Sequence, residues 1–289
     1  MNPVAMFTYA RGIARGWRRG TTFPASTRVK FADAPGGSRV LWERRALGNQ
    51  LVALEHVEHT LAVPGLPSAV SILQLSDCHI RGFDDVLETI VAAMEGLRPD
   101  LVVLTGDTIT RGWKREAADK LLAALPDAPL GKFAIMGNWE YWGRVDVGSW
   151  RWFCQRHGVR LLVNESVALP TLTLCATDDL LAGHPDIEKT YAGVDFSRPV
   201  VTLTHSPGLF PELVRPGVNL VIAGHTHGGQ VRLPGVGSPF LPRASGEYPG
   251  GWYKQDDTWL FVSRGVGWSV APYRLRCRPE LVTIKLIPL

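Results

Sequence analysis

The feature that most constrains this 289-residue chain is a series of short apolar runs, each stopping at a polar motif. Val70 to Leu75 stops before Asp77-Cys78-His79, and Leu101 to Leu104 before Gly106-Asp107. Phe133 to Met136 runs into Gly137-Asn138, Val200 to Leu203 into Thr204-His205, and Leu220 to Ala223 into Gly224-His225-Thr226-His227. Short runs of this kind predict strands buried within a sheet. Strands of one sheet deliver their carboxyl ends to a common edge, so residues far apart in the chain can meet there. A glycine before Asp107, Asn138 and His225 leaves room for tight turns.

The stretches between these runs alternate in period. Helical spacing is expected over Val86 to Leu97, which ends before Pro99, over Lys114 to Leu125, and over Gly148 to His157. Short strands then crowd together at Val159 to Val163, Val167 to Leu169 and Leu172 to Ala176, with later strands at Trp259 to Val262 and Leu281 to Leu286. Residues 38–64 hold one or two strands, and the rest of 230–289 is rich in turns. Alternating strands and helices followed by many strands imply an α/β sandwich. Residues 20–37, rich in Gly, Pro, Ser and Thr, read as a linker. The chain is therefore expected to divide into an N-terminal helix with its linker, 1–37, and one catalytic domain, 38–289.

Hydrophobic residues make up 45% of the chain, enough for a sizeable core. No run approaches the roughly 18 apolar residues of a membrane-spanning helix. Cys78, Cys154, Cys175 and Cys277 form no CxxC pair and no disulfide framework, so a reducing, cytoplasmic setting is the simpler reading. The net charge of +4 is uneven. Residues 1–50 carry nine basic and two acidic residues, whereas the remainder carries 22 basic and 25 acidic. An acidic catalytic body argues against long nucleic acid as a partner. In the basic segment, Met6, Phe7, Ala10, Ile13, Ala14 and Trp17 form an apolar stripe at helical spacing, with Arg11, Arg15, Arg18 and Arg19 on another face. Such a helix, over residues 4–19, can lie on an anionic membrane surface at the inner face, or pack on the domain.

The motifs supply two Asp, one Asn and four His. Oxygen and imidazole donors suit Mn, Fe, Zn or Co. Seven donors are too many for one such ion and suit a pair about 3.5–4 Å apart, sharing a carboxylate. Asp77 and His79 lie two apart, as do His225 and His227. In extended chain such pairs point to opposite sides, so a loop must bend them inward. Cys78, between two donors, reads as a buried thiol.

The segments LSDCHI, LTGDTIT, MGNWEYW, THSP and AGHTHGGQ resemble the calcineurin-like metallophosphoesterases, from about Ser68 onward. GHTHGGQ and the later VSRGVG are most similar to the membrane-associated bacterial phosphodiesterase branch. The resemblance implies a four-layer α/β sandwich, two mixed β-sheets flanked by helices. It also implies that Asp77, His79 and His227 hold one metal ion and Asn138, His205 and His225 the other, with Asp107 bridging. Asp107, Asn138 and His205 would be catalytic, and a metal-bound hydroxide would attack phosphorus in line.

The sequence departs from the family at one place. The usual Gly-Asn-His is here Gly137-Asn138-Trp139, and the second Asp that often follows the Gly-Asp motif is Thr110. Trp139 has only an indole N–H, which does not act as a proton donor to a leaving group. Glu140, Tyr141 and His184 are the candidates for that role. Trp113, Trp139, Trp142, Trp150 and Trp152 crowd the same region, beside Arg111 and Arg144. With Arg264 of VSRGVG, these arginines are candidate phosphate-binding residues. The expected function is hydrolysis of phosphodiester or pyrophosphate bonds by a monomer, on lipid- or nucleotide-linked substrates at the membrane surface. The alternatives are a nuclease or cyclic-nucleotide phosphodiesterase on the same site, and a metal-binding protein with little turnover.

Overall fold

The computed structural model describes residues 37–43, 53–82 and 84–289. The amphipathic segment 4–19 and the linker up to residue 36 lie outside the described residues. Thirteen strands form two sheets among the described residues. The first runs β1 (Gly37–Glu43), β2 (Ala53–Val63), β13 (Glu280–Pro288), β3 (Val70–Leu75), β4 (Leu101–Leu104), β5 (Lys132–Ala134), β6 (Val159–Leu161). The second runs β11 (Gly251–Gln255), β12 (Thr258–Val262), β10 (Val218–Ala223), β9 (Val200–Leu203), β8 (Thr173–Ala176), β7 (Glu165–Ala168). Both sheets are mixed, but the strands that carry the motifs are parallel: β3, β4 and β5 in one, β9 and β10 in the other.

Three apolar layers hold the sandwich together. Between the sheets, Ile72, Val103 and Phe133 meet Leu174, Leu203, Ile222 and Phe261. The outer face of the first sheet, Leu73, Leu75, Val102 and Leu104, packs under α1 (Asp85–Met94), α2 (Arg115–Ala123) and α4 (Val147–Gln155) through Leu87, Ile90, Leu121, Trp150 and Phe153. Val200, Val221 and Leu260 on the outer face of the second sheet pack against Leu209, Phe210 and Leu213, in and beside the short helix α6 (Phe210–Leu213). A further turn of helix, α5 (Ile187–Thr190), follows β8. These layers explain the runs without alternation: β4 (LVVL) is buried at every position because both its faces are covered. No helix among the described residues is long and apolar enough to cross a membrane.

The expected helices and strands are present, with ends shifted by a few residues. The sequence pattern does not announce α3 (Asn138–Trp142), which begins inside the third motif, the single turns α5 and α6, or β11, whose GWYKQ contains a glycine and two polar residues.

The two sheets meet where the motif strands end. The Gln74 amide donates to Thr105 Oγ1 (2.9 Å) and to the Ala223 carbonyl (3.0 Å), joining β3 to β10 across the interface. Pairing of β3 with β4 continues past the strands, with the N–H groups of Asp77, His79 and Ile80 donating to the carbonyls of Gly106, Asp107 and Thr108. The motif glycines allow this approach. A Cβ on Gly224 would lie 1.8 Å from Ser76 Oγ and 2.5 Å from Asp77 Oδ2, and one on Gly137 would lie 2.3 Å from Asp107 Oδ1. The space they keep is filled by a neighbouring motif rather than by their own turn.

Gly224→Ala is therefore expected to destabilise the fold at or above the upper end of the about 1–3 kcal/mol typical of overpacking. Gly235→Ala, at φ +73° with nothing within 4 Å, should lose only about 1 kcal/mol for its left-handed backbone. Denaturant unfolding of the two variants checks the order.

Candidate metal centre

Five residues of the motifs have left-handed backbone: Asp77 (φ 54°), His79 (48°), Asp107 (52°), His225 (70°) and His227 (51°). Each such residue costs on the order of 1–3 kcal/mol unless its surroundings enforce it, and strain of this kind gathers at functional sites. Here it does specific work. With both members of Asp77-x-His79 and of His225-x-His227 at positive φ, side chains that extended chain would send apart turn to the same side.

The result is two buried groups of donor atoms. In one, Asp77, His79 and His227 place ligand atoms within 4.8 Å of one another; in the other, Asp107, His205 and His225 do the same. His79 Nε2 lies 2.9 Å from His227 Nε2, which lies 3.4 Å from Asp77 Oδ1. His205 Nε2 lies 3.2 Å from Asn138 Oδ1 and 3.3 Å from His225 Nδ1. Asp107 joins the groups: its Oδ2 is 3.2 Å from His205 Nε2 and 3.7 Å from His79 Nε2. The structure thus brings together all seven residues singled out from the sequence.

The surrounding hydrogen bonds fix which atoms face inward. His205 Nδ1–H donates to the Thr105 carbonyl (2.8 Å) and His225 Nε2–H to the Arg243 carbonyl (2.6 Å), so their other nitrogens point into the site. Asp77 accepts from Ser76 Oγ–H (2.6 Å) and from the His225 N–H (3.0 and 2.9 Å), and Asp107 Oδ1 accepts from the Trp139 N–H (2.8 Å). The first group is held less completely. His79 Nδ1 is buried and has no partner among the described residues, and His227 Nδ1 lies 3.3 Å from the Arg274 guanidinium rather than from a carbonyl.

Electrostatics make the centre fit a cation. Burial lowers the pKa of His79 to about 4; burial and the charge on His205 do the same for His225, so both are neutral donors at pH 7. Burial opposes charge on His205 too, but Asp107, Asp77 and Asp179 raise its pKa well above the usual value. Burial raises Asp77 to about 6. The carboxylates around His205 thus favour positive charge at the centre, which divalent ions in the same place would supply. Cys78 is buried between the donors, its thiol pushed up by burial, and belongs to neither group.

Glu140, a candidate proton donor from sequence, has a different task. Its fully buried carboxylate accepts from the N–H groups of Asp107 (3.0 Å), Thr108 (2.7 Å), Ile109 (3.4 Å) and Gly137 (2.8 Å). It ties the second motif to the third. Burial raises its pKa to about 7, while four N–H donors favour the charged form. Tyr141 O–H donates to Asp178 Oδ1 (2.6 Å), and burial with that bond pushes its pKa up, so it holds its proton tightly. His184 is exposed on the loop after β8.

Trp139 stands edge-on to His79, with ring centres 5.6 Å apart, and packs against the half-exposed Trp142. Trp113 and Trp150 instead join Phe153 in the core, and Trp152 is exposed. Arg111 and Arg144 are exposed on loops that touch, since Gly143 approaches the Thr110 carbonyl. Arg264 departs from the expectation that it meets phosphate. Its Nε and Nη2 are engaged by Glu280, and Nη2 lies 2.9 Å from Glu55. A guanidinium neutralised by two carboxylates is a poor clamp for a third anion. Arg274, which no motif marks, donates to the carbonyls of Arg264, Gly265 and Gly267 behind His227. It lies in a turn-rich stretch with no periodicity to mark it.

Glu140→Gln places an amide N–H against backbone N–H donors. Hydrogen bonds to a charged group contribute about 1.5–3 kcal/mol, so the thermal midpoint should fall by roughly 3–6 °C. Scanning calorimetry of the variant checks this.

The comparisons with known proteins agree with this geometry. Residues 70–229 match the family model of the calcineurin-like phosphoesterases. YkuE, a metallophosphoesterase of Bacillus subtilis (strain 168), is 30% identical over 246 residues, 81% of this chain and 85% of that protein. Phosphodiesterase YaeI of Escherichia coli (strain K12) is 30% identical over 230 residues, 75% of this chain and 82% of that protein. A transmembrane protein with a metallophosphoesterase domain from Danio rerio is 30% identical over 253 residues, 80% of this chain and 56% of that protein. With motifs in family order on two mixed sheets, the chain belongs to the calcineurin-like phosphoesterases and is a metal-dependent phosphoesterase.

Proposed function

We propose that this phosphoesterase hydrolyses phosphodiester or pyrophosphate bonds with a pair of divalent transition-metal ions, Mn, Fe, Zn or Co. The observation that carries the reading is Asp107. One buried oxygen, Oδ2, lies 3.2 Å from a nitrogen of one donor group and 3.7 Å from a nitrogen of the other, so one carboxylate can serve both. In this reading Asp77, His79 and His227 hold one ion and Asn138, His205 and His225 the other. Two such ions lower the pKa of water and offset the charge that grows on phosphoryl oxygens.

The chain's own residues do the rest. Ser76, Thr105 and the Arg243 carbonyl orient the donors, and Glu140 fixes the two turns that present Asp107 and Asn138. Trp139 shields His79 and offers a flat apolar wall, while the exposed Arg111 and Arg144 are the candidates to meet a substrate's charged part. The lack of an acid at Trp139 and Thr110 favours good leaving groups, such as a nucleoside monophosphate leaving a pyrophosphate. The YaeI likeness supports a diester, and the name of the Danio rerio relative supports action beside a membrane. The apolar wall of Trp139 supports a lipid- or nucleotide-linked substrate. A metal-binding protein with little turnover is the second reading, favoured by the same missing acid pair.

Purified protein assayed on an activated, water-soluble phosphodiester with Mn separates the readings: two bound ions without turnover would favour the second. Asp107→Ala should lower the rate on the order of 10³-fold or more and reduce metal content at both positions, as read by elemental analysis. Alkyl diesters with poor leaving groups should be hydrolysed far more slowly than activated ones. The double variant Trp139→His with Thr110→Asp should narrow that gap, general acid help being worth about 10²–10⁴-fold. The unequal support of the donors predicts unequal affinity. Because a carbonyl anchors His205 and His225 but neither His79 nor His227, chelator titration should strip the Asp77 group first, with constants differing about 10–100-fold.

A further inference from the structure

Two loops beside the site have a composition unlike the rest of the body. Residues 228–246 contain Arg232 and Arg243 and no acidic residue, and residues 264–279 contain four arginines and no acidic residue. Of these four, Arg264 and Arg278 pair with Glu280 and Glu55 and Arg274 is buried, which leaves Arg276 as the cation the second loop presents. Residues 51–289 as a whole have more acidic than basic side chains. The same loops hold a cluster of the large apolar side chains most exposed among the described residues: Leu233 (40%), Val236 (67%), Phe240 (72%), Val270 (37%) and Tyr273 (47%).

The loops form one surface. Val231 bridges Leu275, the Arg232 N–H donates to the Leu275 carbonyl (2.9 Å), and the Gln230 side chain donates to the carbonyls of Ala271 and Tyr273 (3.1 and 3.2 Å). A tight turn in which Leu233 and Gly237 exchange backbone hydrogen bonds (2.7 and 2.9 Å) carries Leu233 and Val236 at its tip. Val270 has φ 56°, a conformation that β-branched residues rarely adopt, on an exposed turn. Both loops are fastened to the donor histidines, since the Arg243 carbonyl accepts from His225 and Arg274 approaches His227.

We propose that this face docks on a bilayer surface bearing anionic headgroups, with Leu233, Val236, Phe240, Val270 and Tyr273 entering the interface and the exposed Arg243 and Arg276 meeting lipid phosphates. Apolar and aromatic side chains mixed with arginine, with no acid among them, complement an anionic interface and repel a basic protein partner. The docking rests on these loops rather than on residues 4–19. It deepens the membrane part of the proposed function, because loops fastened to His225 and His227 would hold the centre against the lipid headgroups.

The test is flotation of the full chain with phosphatidylcholine vesicles containing or lacking phosphatidylglycerol. The expected result is binding that requires phosphatidylglycerol, falls with salt, and weakens about tenfold or more in Val236→Asp with Phe240→Asp. That variant should keep its circular dichroism spectrum and its rate on a water-soluble diester. Binding equal to that of the parent chain would overturn the proposal and assign docking to another segment. Equal binding to pure phosphatidylcholine, or none to either vesicle, would also overturn it. Loss of diester hydrolysis by the parent chain would count against the catalytic reading alone, because flotation is measured without turnover.

Discussion

Carboxylate, amide and imidazole groups converge at 3.2–3.7 Å in a buried space, where polar groups are costly without partners, and the rest of this molecule is arranged to hold them there. Five left-handed residues, three glycines with no room for a side chain, and a buried glutamate all serve that end. The parallel strands supply rigidity. Each donor lies two to four residues past a strand buried on both sides, so the layered core fixes where its backbone starts. The same arrangement favours positive charge: the carboxylates raise the pKa of His205, and a cation between the groups would answer the same need.

Much of this was legible in the sequence. β3, β4 and β9 begin and end where the apolar runs do, because strands buried on both faces leave a hydrophobic signal without strict alternation. The seven donors were legible because their residue types are rare in such a pattern and each ends a strand. Their inward orientation was not, since it depends on positive φ at Asp77, His79, His225 and His227, which residue type alone does not announce. The role of Glu140 was hidden for a related reason. A carboxylate three residues after Gly137 can be read as an acid, and only the fold shows its oxygens filled by N–H groups from two motifs. Arg264 and Arg274 illustrate the converse: an arginine's function is set by which carboxylates or carbonyls lie within reach, and those come from distant strands.

The replacement of an acid pair by Trp139 and Thr110 gains meaning from the packing. Trp139 closes over His79 and meets Trp142, so the position is structurally occupied rather than vacant. Thr110 is fully buried, and its carbonyl accepts from the Trp113 N–H in the turn that leads to α2. Chemistry was exchanged for an apolar wall, which suits a substrate whose leaving group needs little help and whose body is not wholly polar.

Strand β13 lies between β2 and β3 and pairs with both, parallel to one and antiparallel to the other. It also carries Glu280, which holds Arg264 behind the histidine turn. Asp77 therefore follows a strand whose neighbour is made more than 200 residues later. Pairing across so long a stretch of chain closes slowly. The strand that presents Asp77 and His79 gains its support on that side only once residues 280–288 are made, and the growing chain carries these two donors before that support exists.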